Sequence, residues 1–254
     1  GKKYDYLLQT AFSEVNWQEL APTDPYYFFA PKDFSAADEY ETGFKLEEFM
    51  PLNSTGVLTM GDSFAVSQDK KCLKDRIRKF LAGNVTSEKL TEDFSLGKNY
   101  AQFVLEGKSA IEFNATSLRK YNYRPFDENW IYYDSKVIWR HRDKVMRHVS
   151  DDSLSLVVCK QMATNEWSLV LSALGLVDDC YVSNKTKERG YVFPLYLYDT
   201  AVEPPTRRVN FDAAIYKKIC KAAGLTYSDE DLQASAGKSS SEYPQLVFDY
   251  IYGV

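Results

Sequence analysis

Histidine and cysteine are scarce, and their spacing narrows the chemistry that the chain can support. Of 254 residues only two are histidines, His141 and His148, and they form neither H-E-x-x-H nor another metal-binding spacing. The four cysteines are widely spaced and include no C-x-x-C pair: Cys72, Cys159, Cys180 and Cys220. This argues against a zinc site and against a dense disulfide framework, and it favours reduced cytoplasmic thiols.

Long apolar runs are missing as well. The longest, LSLVVC and VFPLYLY, have the length of strands, whereas about 18 apolar residues are needed to span a bilayer. The N-terminal GKKYDYLLQ lacks the apolar core and the cleavage site of a signal peptide. The sequence therefore predicts a cytoplasmic protein without membrane contact.

The familiar catalytic fingerprints do not occur. We find no G-x-S-x-G elbow, Walker A loop or G-x-G-x-x-G motif. DPYY, at Asp24–Tyr27, has only part of the D/N-P-P-Y loop of amino-methyltransferases, and no cofactor-binding glycine loop lies near it. Acidic pairs such as Asp178 and Asp179 are common on surfaces. We therefore expect no catalytic residue, metal or cofactor in this chain.

What is present is the composition of a folded protein, with 44% hydrophobic and 26% charged residues. The pattern predicts an α+β fold: a mixed or antiparallel sheet core with flanking helices and a helical C-terminal segment. We expect an α+β domain over residues 1–205, with the helical segment 206–254 packed on it.

Several elements can be assigned from periodicity and turn residues. DKKCLKDRIRKFLAG predicts an amphipathic helix that ends at Gly83, and FDAAIYKKICKAAGL a helix that ends at Gly224. YPQLVFDYIYGV predicts a further helix. TDPYYFFAPKD predicts a short buried strand, and WIYYDSKVIW predicts a hairpin. The first helix is expected to bury four side chains: Cys72, Ile77, Phe80 and Leu81.

Positive charge is concentrated in one stretch, although the chain carries a net charge of −5. From Arg119 to His148, which we call the basic island, eight Lys and Arg stand against four Asp and Glu. The island therefore carries +4 and the rest of the chain −9. A positive stretch on a negative body attracts a polyanion at one face.

The residue types of the basic island suit a nucleic acid. Arginine binds a guanine edge through two hydrogen bonds, and both lysine and arginine contact phosphates. Trp and Tyr are interleaved with these cations and can support them or stack on bases. On charge alone, an amphipathic strand or helix with a solvated basic face fits equally well.

Four blocks follow in order along the chain: YRPFDENWIYYDSKVIWRHRDKVMRHV, SLVVCKQ, DDCYVSN and GYVFPLYLY. Together they resemble the C-terminal region of type ISP restriction–modification enzymes. YDYLLQTAFSEVNWQELAPTDPYYFFAPKDF and STGVLTMGDSF look like that region too, so the resemblance covers Tyr4 to Val254. Many relatives read T-x-R-D where this chain reads TMGD, with Gly61 at the arginine position.

The resemblance implies a specificity domain that binds double-stranded DNA and presents a target adenine to the methyltransferase domain of the same bacterial parent chain. S-adenosylmethionine, ATP and Mg²⁺ would belong to other domains of that parent. We expect Arg140 and Arg142 to share one face of a strand, with His141 on the other. The predicted DNA-binding residues are Arg124, Lys136, Arg140, His141, Arg142, Lys144, Arg147, Lys185, Lys187 and Arg189.

The block YRPFD also has a structural interpretation. Pro125 would fix a turn, Phe126 would be buried, and Arg124 could pair with Asp127.

Two other functions stay open at this point. A carbohydrate- or protein-binding module would suit the acidity, the many tyrosines and the N-x-S/T sequons, although the basic island and the missing signal peptide argue against it. A structural coupler that docks the methyltransferase on neighbouring domains would suit the helical segment after Pro205. The sequons lie at Asn53, Asn84, Asn114 and Asn184.

Overall fold

A computed structural model describes residues 2–22, 24, 27–161, 170–185, 188–199, 206–229, 232 and 243–253. The chain divides into two compact units, Gly1–Phe44 and Lys45–Val254.

The described residues of the first unit include two α-helices, α1 (Lys2–Gln9) and α2 (Ala37–Glu41), and a short 3-10 helix at Phe12–Glu14. None of its described residues is buried. The prediction of a buried strand in TDPYYFFAPKD is wrong where the structure describes that run. Residues 27–33 form no strand, and Phe29 is fully exposed. An aromatic run needs a partner strand to be buried, and within this unit none of the described residues forms a strand.

The described residues of the second unit form three sheets. An antiparallel sheet has the strand order β1-β8-β5-β6, and a mixed sheet has the order β2-β4-β3-β7, in which β3 and β7 run parallel. Strands β9 and β10 form an antiparallel pair. The strands are β1 (Ser54–Thr55), β2 (Val66–Ser67), β3 (Leu118–Arg124), β4 (Asp127–Tyr132), β5 (Leu154–Cys159), β6 (Val170–Leu174), β7 (Leu176–Val177), β8 (Gly190–Pro194), β9 (Tyr196–Asp199) and β10 (Thr206–Val209).

Helices flank these sheets, and an aspartate caps the N-terminus of two of them. Asp69 caps the helix that follows it by accepting a hydrogen bond from Cys72 N (2.7 Å), and Asp212 caps another through Ala214 N and Ile215 N. The helices of this unit are α3 (Leu46–Phe49), α4 (Asp62–Ala65), α5 (Lys70–Ala82), α6 (Ser87–Phe94), α7 (Lys98–Gly107), α8 (Asp143–Met146), α9 (Ala213–Ala222) and α10 (Tyr243–Gly253).

Two hydrophobic cores hold the unit together. One lies between the mixed sheet and helices α5 to α7, and its large side chains include Phe64, Ile77 and Tyr121. The other joins the antiparallel sheet to α9 and α10 through Phe193, Tyr216 and Phe248. The two C-terminal helices are thus anchored by apolar burial, the main favourable term in folding.

The predicted helices α5, α9 and α10 are confirmed, and Gly224 adopts a positive φ of 68° just beyond α9. In α5 Ile77 and Phe80 are buried as expected. Cys72 is exposed instead, because Leu73 occupies the inward position of the first turn.

The predicted hairpin in WIYYDSKVIW is wrong. Its first half is strand β4, but β4 pairs with β3, so the hairpin turn lies earlier in the chain, at Pro125–Phe126. The residues after Tyr132 turn back instead: Val137 and Ile138 donate backbone hydrogen bonds to Asp134 O.

The α+β prediction is confirmed, with a mixed and an antiparallel sheet and helices at the C-terminal end. The division at residue 205 stays a prediction; the segment after it begins with strand β10 before α9 and α10. Within the described residues no helix is long and apolar enough to cross a membrane. All four cysteines are free.

Candidate nucleic-acid interface

The loop Val57–Asp62 links two parts of the second unit that carry arginines of the candidate site. Leu58 pairs with Arg140 through two backbone hydrogen bonds, of 2.9 and 3.2 Å. Val57 pairs with the end of β7 and the residues that follow it. Its N–H donates to Val177 O, and its carbonyl accepts from Asp179 N, both at 2.8 Å. The loop therefore fixes the backbone at Arg140 relative to the backbone at Asp178 and Asp179.

Asp62 ties the same loop to strand β3. Its carboxylate accepts hydrogen bonds from the Thr59 hydroxyl and from the Tyr123 hydroxyl, the latter at 2.7 Å. The bond to Asp62, together with partial burial, raises the pKa of Tyr123 to about 12. Tyr123 therefore remains a neutral donor at any physiological pH, and the bridge between loop and strand persists.

Arg124 is held by Asp178. Its Nη1 lies 2.8 Å from Asp178 Oδ1, and its guanidinium stacks over the Tyr123 ring at 4.1 Å. Asp178 also accepts hydrogen bonds from the Tyr121 hydroxyl and from Cys180 N. Burial raises the pKa of Asp178, while these partners act in the opposite direction. The pair that we predicted between Arg124 and Asp127 is not formed, because the parallel strand β7 brings Asp178 to Arg124 and Asp127 accepts from Asn129.

Three further arginines gather beside Asp179, and we call Arg140, Arg142 and Arg189 the arginine cluster. Arg189 pairs with the buried Asp179 at 3.1 Å. Arg142 is half-buried; burial lowers its pKa, and the neighbouring charges of Arg140 and Arg189 lower it further. Burial likewise raises the pKa of Asp179, against the attraction of the three arginines. Asp179 thus forms an ion pair with Arg189 and also feels the charges of Arg140 and Arg142, so the arginine cluster carries more positive charge than this carboxylate offsets.

Arg142 is held in an unfavourable local conformation. Its φ is 57°, in the left-handed region that few residues other than glycine adopt. Its Nε is buried, and within the described part of the chain no hydrogen-bond partner reaches it. A buried donor without an acceptor is costly, and such local costs are concentrated at functional sites.

The strand predicted for WRHRD is wrong. Arg140 forms only an isolated bridge to Leu58, and the left-handed backbone at Arg142 ends any extended run before helix α8. His141 does point elsewhere: its ring stacks on Tyr133 with centroids 4.1 Å apart, and burial lowers its pKa. Arg140 and Arg142 still come together, through the turn rather than through strand alternation.

The remaining predicted residues are more dispersed. His148 accepts from Tyr198 N at 3.1 Å, burial lowers its pKa, and Arg147 and Arg208 lie close enough to lower it further. Arg147 thus belongs to a second basic group. Lys136 and Lys144 are exposed, on the turn after β4 and on α8, and Lys185 is exposed before β8. Lys187 lies outside the described residues.

Two exposed apolar residues were missed by the sequence interpretation. Phe126 was expected in the core, but it is fully exposed at the β3–β4 turn with a φ of 63°. Met60, in the loop Val57–Asp62, is about half exposed with a φ of 62°. The signal available in the sequence was Pro125, which favours the second position of a tight turn and so places the next residue at its tip.

Comparison with known proteins gives one family and a set of similar folds. The model of the type ISP C-terminal specificity domain matches residues 48–254. Among solved structures, a DrdV–DNA complex is 18% identical with a TM-score of 0.60, covering 91% of this chain and 24% of that one. A nuclease-deletion mutant of the type ISP restriction–modification enzyme LlaGI, in complex with a DNA substrate mimic, is 12% identical with a TM-score of 0.55, covering 94% and 25%.

This chain therefore spans about a quarter of the length of either solved protein. No curated protein gives a significant match. The matched residues 48–254 fall within the second unit, Lys45–Val254, which holds all the arginines described above.

Proposed function

The chain belongs to the type ISP C-terminal specificity domain family, and from this we propose that it is the target-recognition domain of a cytoplasmic restriction–modification adenine-N6 methyltransferase. In this proposal it binds double-stranded DNA and selects the site, and it has no catalytic residues of its own. The parent's other domains would supply S-adenosylmethionine, ATP and Mg²⁺ and carry out the reaction. The structural neighbours support it, since both were solved with DNA or a DNA mimic.

The observation that carries the proposal is the arginine cluster. In a chain of net charge −5, Arg140, Arg142 and Arg189 all act electrostatically on the carboxylate of Asp179, and Arg189 forms the ion pair with it. A structural ion pair needs one cation for each carboxylate. The surplus cations, of which Arg140 is exposed, suit the phosphates and the acceptor-rich guanine edge of a DNA groove.

Binding to short duplexes of random sequence tests the proposal. The chain should bind them at low salt, and its affinity should fall steeply between about 50 and 200 mM salt because bound cations release counterions. The double variant R140A/R142A should bind more weakly, and its log–log salt slope should be shallower by roughly two units.

The matched control is K218A/K221A, which removes the same charge from exposed positions of α9. Its affinity and slope should equal those of the unmodified chain. If both double variants lose the same affinity, only the net charge of the chain matters, and the arginine cluster is not the binding site.

A docking role for the first unit accompanies DNA binding in our proposal. Residues 1–44 lie outside the matched family region and expose many large apolar side chains. Exposed apolar surface of this kind marks an interaction site, and we assign it to the methyltransferase domain of the parent. The most exposed of these side chains are Tyr4, Leu8, Phe12, Phe29 and Tyr40.

Complementation in trans tests this docking role. A parent protein that lacks the region of this chain should regain site-specific methylation when residues 1–254 are added, but much less when residues 45–254 are added. Equal rescue by the two polypeptides would contradict the docking role of the first unit without contradicting DNA recognition by this chain.

A further inference from the structure

The Phe126 side chain is an unusual feature of the β3–β4 hairpin. The ring is fully exposed, whereas most large aromatic side chains of this unit contribute to its two cores. Its backbone has a φ of 63°, which strains any residue with a Cβ. Glycine or asparagine would suit that turn position better. A strained, exposed phenylalanine is disfavoured for stability, so a binding role is the natural reason for it.

The hairpin tip is held rigidly on both sides. Tyr123 donates to Asp62 at 2.7 Å, and Arg124 pairs with Asp178 at 2.8 Å. On the strand after the tip, Asn129 donates to Asp127 at 3.1 Å. The hairpin therefore holds the ring in a fixed position. A side chain that inserts into a ligand needs such a rigid support.

Met60 repeats the pattern on the neighbouring loop. It has a φ of 62° and is about half exposed, and the bond between Asp62 and Tyr123 ties its loop to the hairpin. Gly61, next to it, packs against the buried ring of Tyr100, so this loop is fixed as well. Arg140, an exposed member of the arginine cluster, pairs with the same loop through Leu58. Phe126 and Met60 thus lie on two turns that are hydrogen-bonded to each other, and the loop of Met60 is also hydrogen-bonded to Arg140 of the arginine cluster.

We propose that Phe126 is an apolar wedge that stacks on a base where the DNA stack is opened, with Met60 contacting the same groove. This inference rests on the proposed function, since it assigns the contact between the domain and duplex DNA. Apolar side chains inserted at a base step are an established way of deforming DNA. An aromatic ring stacks on any base, and arginines on the adjoining loops would hold the phosphates on either side.

The test compares two probes, a short duplex and the same duplex with one central abasic site. The abasic site removes the cost of opening the stack, so a wedge prefers it. We expect the 254-residue chain to prefer the abasic duplex by about five-fold to a hundred-fold, because the cost of unstacking one intact base step is saved. F126N should bind both duplexes equally, whereas F126Y should keep the preference. Y40A, which removes an exposed aromatic ring outside the matched family region, is the control and should also keep it.

F126N also guards against a folding artefact, because asparagine tolerates a positive φ better than phenylalanine. Its melting temperature should equal or exceed that of the unmodified chain. If F126N keeps the preference, or weakens binding to both duplexes by the same factor, Phe126 is not a wedge. If the unmodified chain binds neither duplex at low salt, the proposed DNA-binding function itself fails.

Discussion

At Gly61 the backbone passes so close to Tyr100 that an added Cβ would lie 2.0 Å from Cε1 of that ring. Tyr100 cannot move aside easily, since it is buried and its hydroxyl donates to Val137 O at 2.8 Å. We therefore expect G61A to lower the free energy of unfolding by about 1–3 kcal/mol, the usual cost of overpacking a core. Urea denaturation measures this loss.

The same geometry bears on the T-x-R-D pattern of many relatives, which has an arginine at the position of Gly61. G61R should not add a DNA contact, because its side chain would start inside the Tyr100 ring. The control is G97A, whose Cβ would meet no atom within 4 Å. Equal stability of G61A and G97A would show that the loop does not pack as described.

Arg124 is committed to Asp178, so its loss should affect stability. R124Q leaves a buried carboxylate without its cation, and we expect a cost of about 1–3 kcal/mol at neutral pH. Because burial raises the pKa of Asp178 above its ordinary value, folding favours the protonated carboxyl. The cost should therefore shrink as the pH falls and Asp178 becomes protonated.

Denaturation of R124Q at neutral and acidic pH measures this dependence. The double variant R124Q/D178N removes the buried charge and should recover part of the loss at neutral pH. R140Q, at an exposed position, is the control with the same change in charge. A loss in R124Q that does not change with pH would mean that the charge of Asp178 is not its cause.

Arg140 and Arg142 differ from Lys136 in what they can do to DNA. A bidentate arginine–guanine pair discriminates against the wrong base by about 1–3 kcal/mol, whereas a lysine on a phosphate affects all sequences alike. In the parent enzyme, R140A or R142A should therefore relax the choice of methylation site, and K136A should mainly raise the dissociation constant.

Methylation of cognate and one-base-altered duplexes at fixed salt measures both effects. If the arginine variants lose affinity uniformly and keep their preference among sites, these arginines contact only the backbone, and base recognition belongs to other residues.

At the scale of elements, the sequence predicted what periodicity encodes. The helices α5, α9 and α10 follow from apolar spacing and end signals, and the strand β5 from its apolar run. The hairpin was misplaced because an aromatic run shows that a strand exists but not which strand it pairs with. The turn predicted at Pro125 is confirmed as the true hairpin turn, whereas Phe126 beside it was wrongly expected to be buried.

The candidate site was predicted by composition rather than by geometry. The basic island contained Arg140 and Arg142, but Asp179 and Arg189 lie about 40 to 50 residues further along the chain. The partner of Arg124 is likewise distant in sequence, since the parallel pairing of β3 with β7 brings Asp178 to it. No local spacing contains such pairs, whereas the exposure of Phe126 had a local signal in YRPFD, since Pro125 marks the turn.

At the scale of the whole molecule, the residues that form the buried core all lie within the second unit, between Phe49 and Phe248. None of the described residues of the first unit is buried. A segment that buries no apolar side chain contributes little of the main stabilising term in folding. We therefore expect residues 45–254 alone to fold and to unfold cooperatively on heating.

The DNA affinity of residues 45–254 should equal that of the 254-residue chain, since every arginine of the proposed interface lies in this unit. Circular dichroism on heating and binding to the random-sequence duplexes measure the two properties. F126N made in the shortened polypeptide should again bind intact and abasic duplexes equally. If residues 45–254 fold but bind DNA much more weakly, the first unit takes part in DNA binding, and the aromatic side chains that it exposes belong to the interface rather than to a docking surface for the methyltransferase domain.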